Sequence, residues 1–241
     1  MARTLENPTD HNAWRSAPPD CHQTLGQTTL DLWRISLKQP IQLDVLSKDE
    51  RLRFDRYRFA DDRRKFAAAR HSLRQILARY SQQSPAALVF DYGPYGKPFL
   101  QGDNALQFNL SHSGEYALCG VAQQTVGLDI ELLRPMDRLD GLVKRCLASS
   151  EQIAITQAAS EQKSALFLKY WTCKEAYLKA TGQGISESLS AIEVSLTSCP
   201  RLKVADQRWQ LQVFTPCDGY TGAVVTTPEI SCIRRWAYVV S

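Results

Sequence analysis

Val126-Gly127-Leu128-Asp129-Ile130-Glu131 and, further along, Trp171-Thr172-Cys173-Lys174-Glu175-Ala176-Tyr177-Leu178-Lys179 are the two stretches from which this chain is best read. The first is aliphatic and β-branched with carboxylates at i and i+2, so as a strand it aims Asp129 and Glu131 at one face, roughly 6–7 Å apart. The second has helical spacing, with Lys174 beside Glu175 and Lys179 one turn on. Like charges this close resist joint ionisation unless a cation lies between them. Three oxygen ligands and two lysines therefore suit a magnesium ion carrying phosphate.

Each stretch alone has a plainer reading. Asp129 and Glu131 fit the solvated face of a half-exposed strand, and Glu175 with Lys179 fits a surface ion pair worth about 0.2–0.5 kcal/mol to a helix. The neighbours argue otherwise. Leu128 and Ile130 put the carboxylates close to a hydrophobic sheet, and Phe167, Tyr170, Trp171 and Leu178 put Glu175 at the edge of a core.

Working outward, Leu30, Leu32, Ile35 and Leu37 form an opening strand that ends before Pro40. Arginines then crowd the stretch from Arg51 to Arg79, where Phe66, Ala69, Leu73, Ile76, Leu77 and Tyr80 keep the spacing of a buried helical stripe. Such a helix buries one side and shows arginines on the other. Asp91 to Pro98 is dense in turn formers and reads as a loop. Leu106, Phe108 and Leu110 alternate as a strand, Ser111-His112-Ser113-Gly114 turns, and Tyr116 to Val121 returns.

After Val126 the order partly repeats. A strand and helical material through Leu178 precede Trp209-Leu211-Val213, a turn from Pro216 to Gly219, a returning strand from Tyr220 to Val225 and a closing strand from Ile233 to Val240. The expected fold is α+β: two similar halves forming a pseudo-dimer on one chain, each a small sheet packed with a long helix. Residues 27–124 would be the N-terminal half, 125–241 the C-terminal half and 1–26 a mobile extension. The cleft between the halves is the expected active site.

Composition narrows the class. The chain has 241 residues, enough for a sizeable core, and no run of 18 apolar residues, which argues against a membrane span. The first 26 residues lack a basic stretch leading into an apolar one, so no secretory signal is read and cytoplasmic residence is the expectation. A net charge of +4 permits an acidic partner without demanding nucleic acid. Seven scattered cysteines without a C-x-x-C pair argue against a disulfide framework or zinc site. Cys173 reads as a packing residue, since a catalytic thiol wants a histidine and the chain has four.

Three further positions have two readings each. His112 either caps its turn or, with the flanking serines, binds an anion. Lys97, between Gly96 and Pro98, is similarly ambiguous. The arginine helix is a solvated face or a phosphate-binding surface, with Arg70 the residue singled out.

Together these residues resemble the phosphopantetheinyl transferases of the Sfp type, whose hallmarks are a Gly-Leu-Asp-Ile-Glu strand and a Trp-Thr-x-Lys-Glu-Ala-Tyr-x-Lys helix. Gly96-Lys97-Pro98, Asn109-Leu110-Ser111-His112-Ser113 and the helix around Arg70 extend the resemblance over roughly Leu46 to Gly182. It implies transfer of the 4′-phosphopantetheine arm of coenzyme A to a serine of an apo acyl, peptidyl or polyketide carrier protein, releasing adenosine 3′,5′-bisphosphate.

By the same resemblance, Asp129, Glu131 and Glu175 would hold Mg²⁺, or Mn²⁺ in its place, and Lys174 and Lys179 would contact the pyrophosphate. Lys179 would also assist the leaving group. Arg70 and His112 would hold the 3′-phosphate, Ser111 would hydrogen-bond a phosphate, and the Gly96-Lys97-Pro98 loop would lie along the adenine. Deprotonation of the serine falls to Glu175 or to a water on the metal, and both alternatives stay open. Arg51, Arg53 and Arg56 have no matched counterpart and stand outside the expected site. Both motifs lie on one chain, so the cleft can be built within a monomer, with neither nucleic acid nor membrane as partner. Carrier proteins are acidic around the modified serine, which suits the chain's basic balance.

Overall fold

The computed structural model describes residues 14–102, 105–184, 189–206 and 208–239. In chain order, β1 (Arg15–Ser16) and β2 (Thr29–Ser36) precede α1 (Lys48–Arg56) and α2 (Ala60–Ser81). Two hairpins follow, β3 (Phe90–Tyr92) with β4 (Pro98–Leu100) and β5 (Gln107–Ser113) with β6 (Tyr116–Ala122). Next come β7 (Val126–Leu132), α3 (Leu139–Cys146), α4 (Ser149–Gln157) and α5 (Lys163–Thr181). The chain ends with β8 (Glu193–Ser195), β9 (Arg201–Lys203), β10 (Gln210–Phe214), β11 (Tyr220–Thr226) and β12 (Cys232–Tyr238). Among the described residues no helix is long and apolar enough to cross a membrane.

The fold is α+β, with two sheets that each carry a long helix. The first sheet has the order β1-β12-β2-β6-β5 and the second β10-β11-β7. The apolar stripe of α2 is buried as its spacing requires, with Ala69, Leu73, Ile76 and Leu77 packed on Trp33, Ile35, Cys119 and Val121 of the first sheet. Period-two alternation sends the other faces of β2 and β6 toward the second sheet. There Leu30, Leu32 and Leu118 meet Val126, Leu128, Ile130 and Val224 in one core between the sheets. The opposite face of β7, carrying Gly127, Asp129 and Glu131, is left to α5.

The closing strand does not stay beside β10 and β11. β12 lies in the first sheet between β1 and β2, parallel to both. Asp31 explains the destination. It is fully buried, yet it accepts from Arg234 Nε at 2.6 Å, Trp236 Nε1 at 2.9 Å and Tyr80 Oη at 2.7 Å. A buried carboxylate is tolerable only with such partners, and two of the three come from β12. β12 in turn gives residues 15 and 16 an edge to pair with, and Cys21 is buried in the α2 core, so these parts of the stretch read as a mobile extension are held in the fold.

Three local expectations change. The stretch read as a loop from Asp91 to Pro98 is a short hairpin, closed by Gly93 N–H to Lys97 O at 2.9 Å. Ser111, His112 and Ser113 are not a turn: β5 pairs with β6 as far as Ser113 opposite Tyr116, and the reversal is Gly114-Glu115 alone, with Gly114 at φ 55°. The arginine face of α2 is not all solvated, because Arg74 is 1% exposed and bound to Glu50 and to the carbonyls of Pro85 and Leu88.

Candidate active site

β5 ends the first sheet and β7 ends the second, and the two edge strands are joined by side chains of β5. Asn109 Oδ1 accepts from Leu128 N–H at 2.8 Å, Ser111 Oγ donates to Asp129 Oδ1 at 2.6 Å, and Ser113 Oγ donates to Glu131 Oε2 at 2.8 Å. Alternate residues of a strand share a face, so the Asn109, Ser111 and Ser113 spacing matches the Asp129 and Glu131 spacing opposite.

α5 crosses the same face of β7. A Cβ on Gly127 would overlap the backbone of Ala176 and Ala180, lying 2.6 Å from the Ala180 Cα, so only glycine admits the helix this closely. That approach brings Lys179 onto Asp129: its ammonium lies 2.6 Å from Asp129 Oδ1 and 2.9 Å from Ser111 Oγ. Glu175, one turn earlier, is buried on the same side.

The electrostatics of this cluster are unbalanced. Burial pushes the Glu175 pKa up, with Asp129 and Glu131 adding to the rise and Lys179 opposing it. Burial raises Glu131 as well, against the Ser113 hydrogen bond. Asp129 Oδ2 and Glu175 Oε1 are buried without a hydrogen-bond partner among the described residues, which is costly for carboxylate oxygens. Among the described residues no three His, Cys, Asp or Glu side chains are already gathered as a metal cluster, and Asp129 is instead held by Lys179 and Ser111. Two orphaned oxygens of hard-ligand type nevertheless fit a divalent cation.

A cavity of about 460 Å³ and one of about 430 Å³ flank α2 and α5 respectively. The α5 cavity runs from Glu175 and Lys179 to Gly96, Lys97 and Pro98 across β5. Lys97 Nζ donates to the carbonyls of Val126 at 3.1 Å and Ala180 at 3.4 Å, so it ties the β3–β4 hairpin to β7 and to the end of α5. Burial lowers its pKa to about 8.

Of the residues expected from sequence, Asp129, Glu131, Glu175, Lys179 and Ser111 come together, and Gly96, Lys97 and Pro98 wall the adjoining cavity. Lys174 does not. It is fully buried on the far side of α5, 2.6 Å from Glu151 Oε2 and bonded to the carbonyls of Cys146 and Leu189. Adjacent helix residues diverge by about 100°, so a helix that presents Glu175 to β7 turns Lys174 elsewhere.

Arg70 is also placed differently. It pairs with Glu50 at 2.5 Å, lies over the Phe90 ring and lines the α2 cavity rather than the one holding Glu175. His112, on the opposite face of β5 from Ser111, is exposed. The protein around its ring and the Lys179 ammonium hold its pKa below the ordinary histidine value, with Lys65 and Arg53 acting in the same direction. Arg53 and Arg56, left outside the site by sequence, line the cavity with Arg70. The signal that finds them is the capping box of Ser47 and Glu50, which sets the start of α1 and hence which of its arginines share Glu50's side.

Comparison with known proteins covers both sheets. Residues 32–124 match the family described as "4′-phosphopantetheinyl transferase, N-terminal", and residues 125–225 match the "4′-phosphopantetheinyl transferase superfamily". The 4′-phosphopantetheinyl transferase HetI of Nostoc sp. is 41% identical over 223 residues, which span 88% of this chain and 93% of HetI. The 4′-phosphopantetheinyl transferase Sfp of Bacillus subtilis is 25% identical over 154 residues, 64% of this chain and 68% of Sfp. A holo-(acyl-carrier-protein) synthase from Bacillus anthracis, solved in complex with CoA (3′,5′-ADP), is 25% identical and overlaps 43% of this chain and 94% of its own at a TM-score of 0.39, too slight an overlap to bear on the fold. On the strength of the near full-length match to HetI, this chain belongs to the 4′-phosphopantetheinyl transferase superfamily.

Proposed function

We infer that the protein transfers the 4′-phosphopantetheine moiety of coenzyme A to a serine hydroxyl of an apo carrier protein, and that the cleft between β5, β7 and α5 is where this happens. The observation that carries the siting is the cluster itself: two buried carboxylate oxygens without partners, on Asp129 and Glu175, beside the ammonium of Lys179. A divalent cation carried in with the pyrophosphate would supply what those oxygens lack.

Asp129, Glu131 and Glu175 would hold Mg²⁺ there, which when bound neutralises charge on the pyrophosphate and on the leaving phosphate. Coenzyme A would lie along the α5 cavity, with its adenine toward the Gly96-Lys97-Pro98 wall and its 3′-phosphate toward the arginines around Arg53 and Arg70. The serine oxygen of the carrier attacks the phosphorus that bears pantetheine, and the bond from that phosphorus to the bridging oxygen breaks. Adenosine 3′,5′-bisphosphate departs.

Glu175 is the side chain placed to take the serine proton, because it is buried on the face of α5 that meets β7, one turn from Lys179. Lys179 donates to the pyrophosphate and stabilises the negative charge that grows on the departing oxygen. One chain supplies every group named, so a monomer suffices. The basic balance of the chain, +4, favours the acidic surface of a carrier and makes docking sensitive to salt.

The test is to incubate the protein with Mg²⁺, coenzyme A and a panel of apo carriers from fatty-acid, polyketide and peptide synthesis, then weigh each carrier. A gain of one phosphopantetheine on at least one is expected, and no gain on any would sink the reading. Glu175→Gln should abolish the gain without altering the circular dichroism spectrum.

A further inference from the structure

Glu131 is half-buried near the end of β7 where Asp129 and Glu175 are buried, and among the described residues its one hydrogen-bond donor is Ser113 of β5 at 2.8 Å. The hydroxyl is not free to turn away. Leu132 N–H donates to the same Ser113 Oγ at 3.1 Å, so the oxygen is occupied as an acceptor and its single proton is directed at the carboxylate. Ser111 has the same arrangement two residues earlier: it accepts from Lys179 and donates to Asp129. β5 therefore presents two hydroxyls, each made a fixed donor by an N–H on its other side.

We propose that Ser113 is a positioning residue, whose hydroxyl holds the Glu131 carboxylate in the cleft in the orientation needed to bind the divalent cation. This rests on the metal role assigned to Glu131 above. Glu131 and Asp129 are like charges on one face of a strand, and without a donor a long, half-exposed glutamate relaxes away from its neighbour into solvent. Ser113 opposes that movement from a strand that belongs to the other sheet. The orientation of one of the three carboxylates thus depends on how β5 and β7 are set against each other. Partners of metal-ligating carboxylates typically change metal affinity by about 10–100-fold when removed.

The experiment is a titration of Mn²⁺, followed by electron paramagnetic resonance, into the protein saturated with coenzyme A and with no carrier present, so that no turnover is needed. Ser113→Ala and Ser113→Val should bind Mn²⁺ about 10-fold more weakly than the unaltered protein, and Ser113→Thr, which has the shape of valine and retains the hydroxyl, should restore the affinity. Coenzyme A affinity measured in excess chelator should be the same for all four proteins, which a general loosening of the fold would not allow. Equal Mn²⁺ affinity for the Val and Thr variants would overturn the proposal while leaving the metal reading in place. Failure of the unaltered protein to bind Mn²⁺ would remove the metal reading, and this proposal with it.

Discussion

Lys179 of α5 and Asp129 of β7 form an ion pair with 2.6 Å between Nζ and Oδ1, and the same ammonium reaches Ser111 of β5 at 2.9 Å. One side chain of α5 therefore touches the two strands that meet it at the cleft. Replacing it leaves Asp129, which is 4% exposed, without its cation and beside two other carboxylates. Lys179→Met is expected to lower kcat/KM for coenzyme A by about 10²–10³-fold, the scale of losing one preorganised donor to a developing oxyanion. Steady-state transfer to a carrier protein measures it.

Lys174 should behave in the opposite way, although it belongs to the same motif. Its charge is paired with Glu151 in the interior, and Glu151 also accepts from the amides of Ala148 and Val194. Lys174→Met strands that carboxylate and should cost about 3–5 kcal/mol of stability. Urea unfolding gives the loss, and the KM for coenzyme A of protein still folded at low temperature should match the unaltered value. A raised KM at unchanged stability would return Lys174 to the pyrophosphate.

Lys97 gives a signature in pH. Its pKa is lowered by burial to about 8 from the ordinary 10.5. Between those values the unfolded chain holds a proton that the folded chain has released, so stability contributed by this group rises with pH across that window. The stability of the unaltered protein minus that of Lys97→Met should therefore climb from about pH 8 to about pH 10.5, and urea midpoints across that range check it.

Gly127→Ala tests the contact that brings the two motifs together. The added methyl would meet the α5 backbone at Ala176 and Ala180, which has no rotamer to change. Overpacking of this kind costs about 1–3 kcal/mol, and relief by shifting α5 carries Glu175 and Lys179 off β7. Transfer activity should fall more than the loss of thermal stability accounts for, as measured on protein held well below its Tm.

Much of the site could be read from single residues because the motifs encode geometry directly. Alternation along β7 put Asp129 and Glu131 on one face, whereas the close approach of the α5 backbone at Gly127 emerged only in the structure. The stripe of α2 and the β5–β6 hairpin were legible for the same reason: period and turn chemistry are local. His112 and its serines were misread as a turn because polar residues at a strand end look alike whether they bend the chain or bridge to another strand. The hydrogen bonds of Ser111 to Asp129 and of Ser113 to Glu131 became visible only once β7 stood opposite them.

By itself the sequence determined the chemistry available to this protein: three carboxylates, a lysine one turn from the third, and two sheets each served by a long helix. Those follow from side-chain identity and from periods of two and 3.6 residues, which need no distant partner. Tertiary structure alone decided which charges are used where. It turned Lys179 to Asp129 and Lys174 to Glu151, tied Arg70 to Glu50, and sent β12 into the first sheet to satisfy Asp31. The reason is common to all four. A buried charge must find its counterpart wherever the chain brings one, and that pairing is set by contacts between residues far apart in sequence.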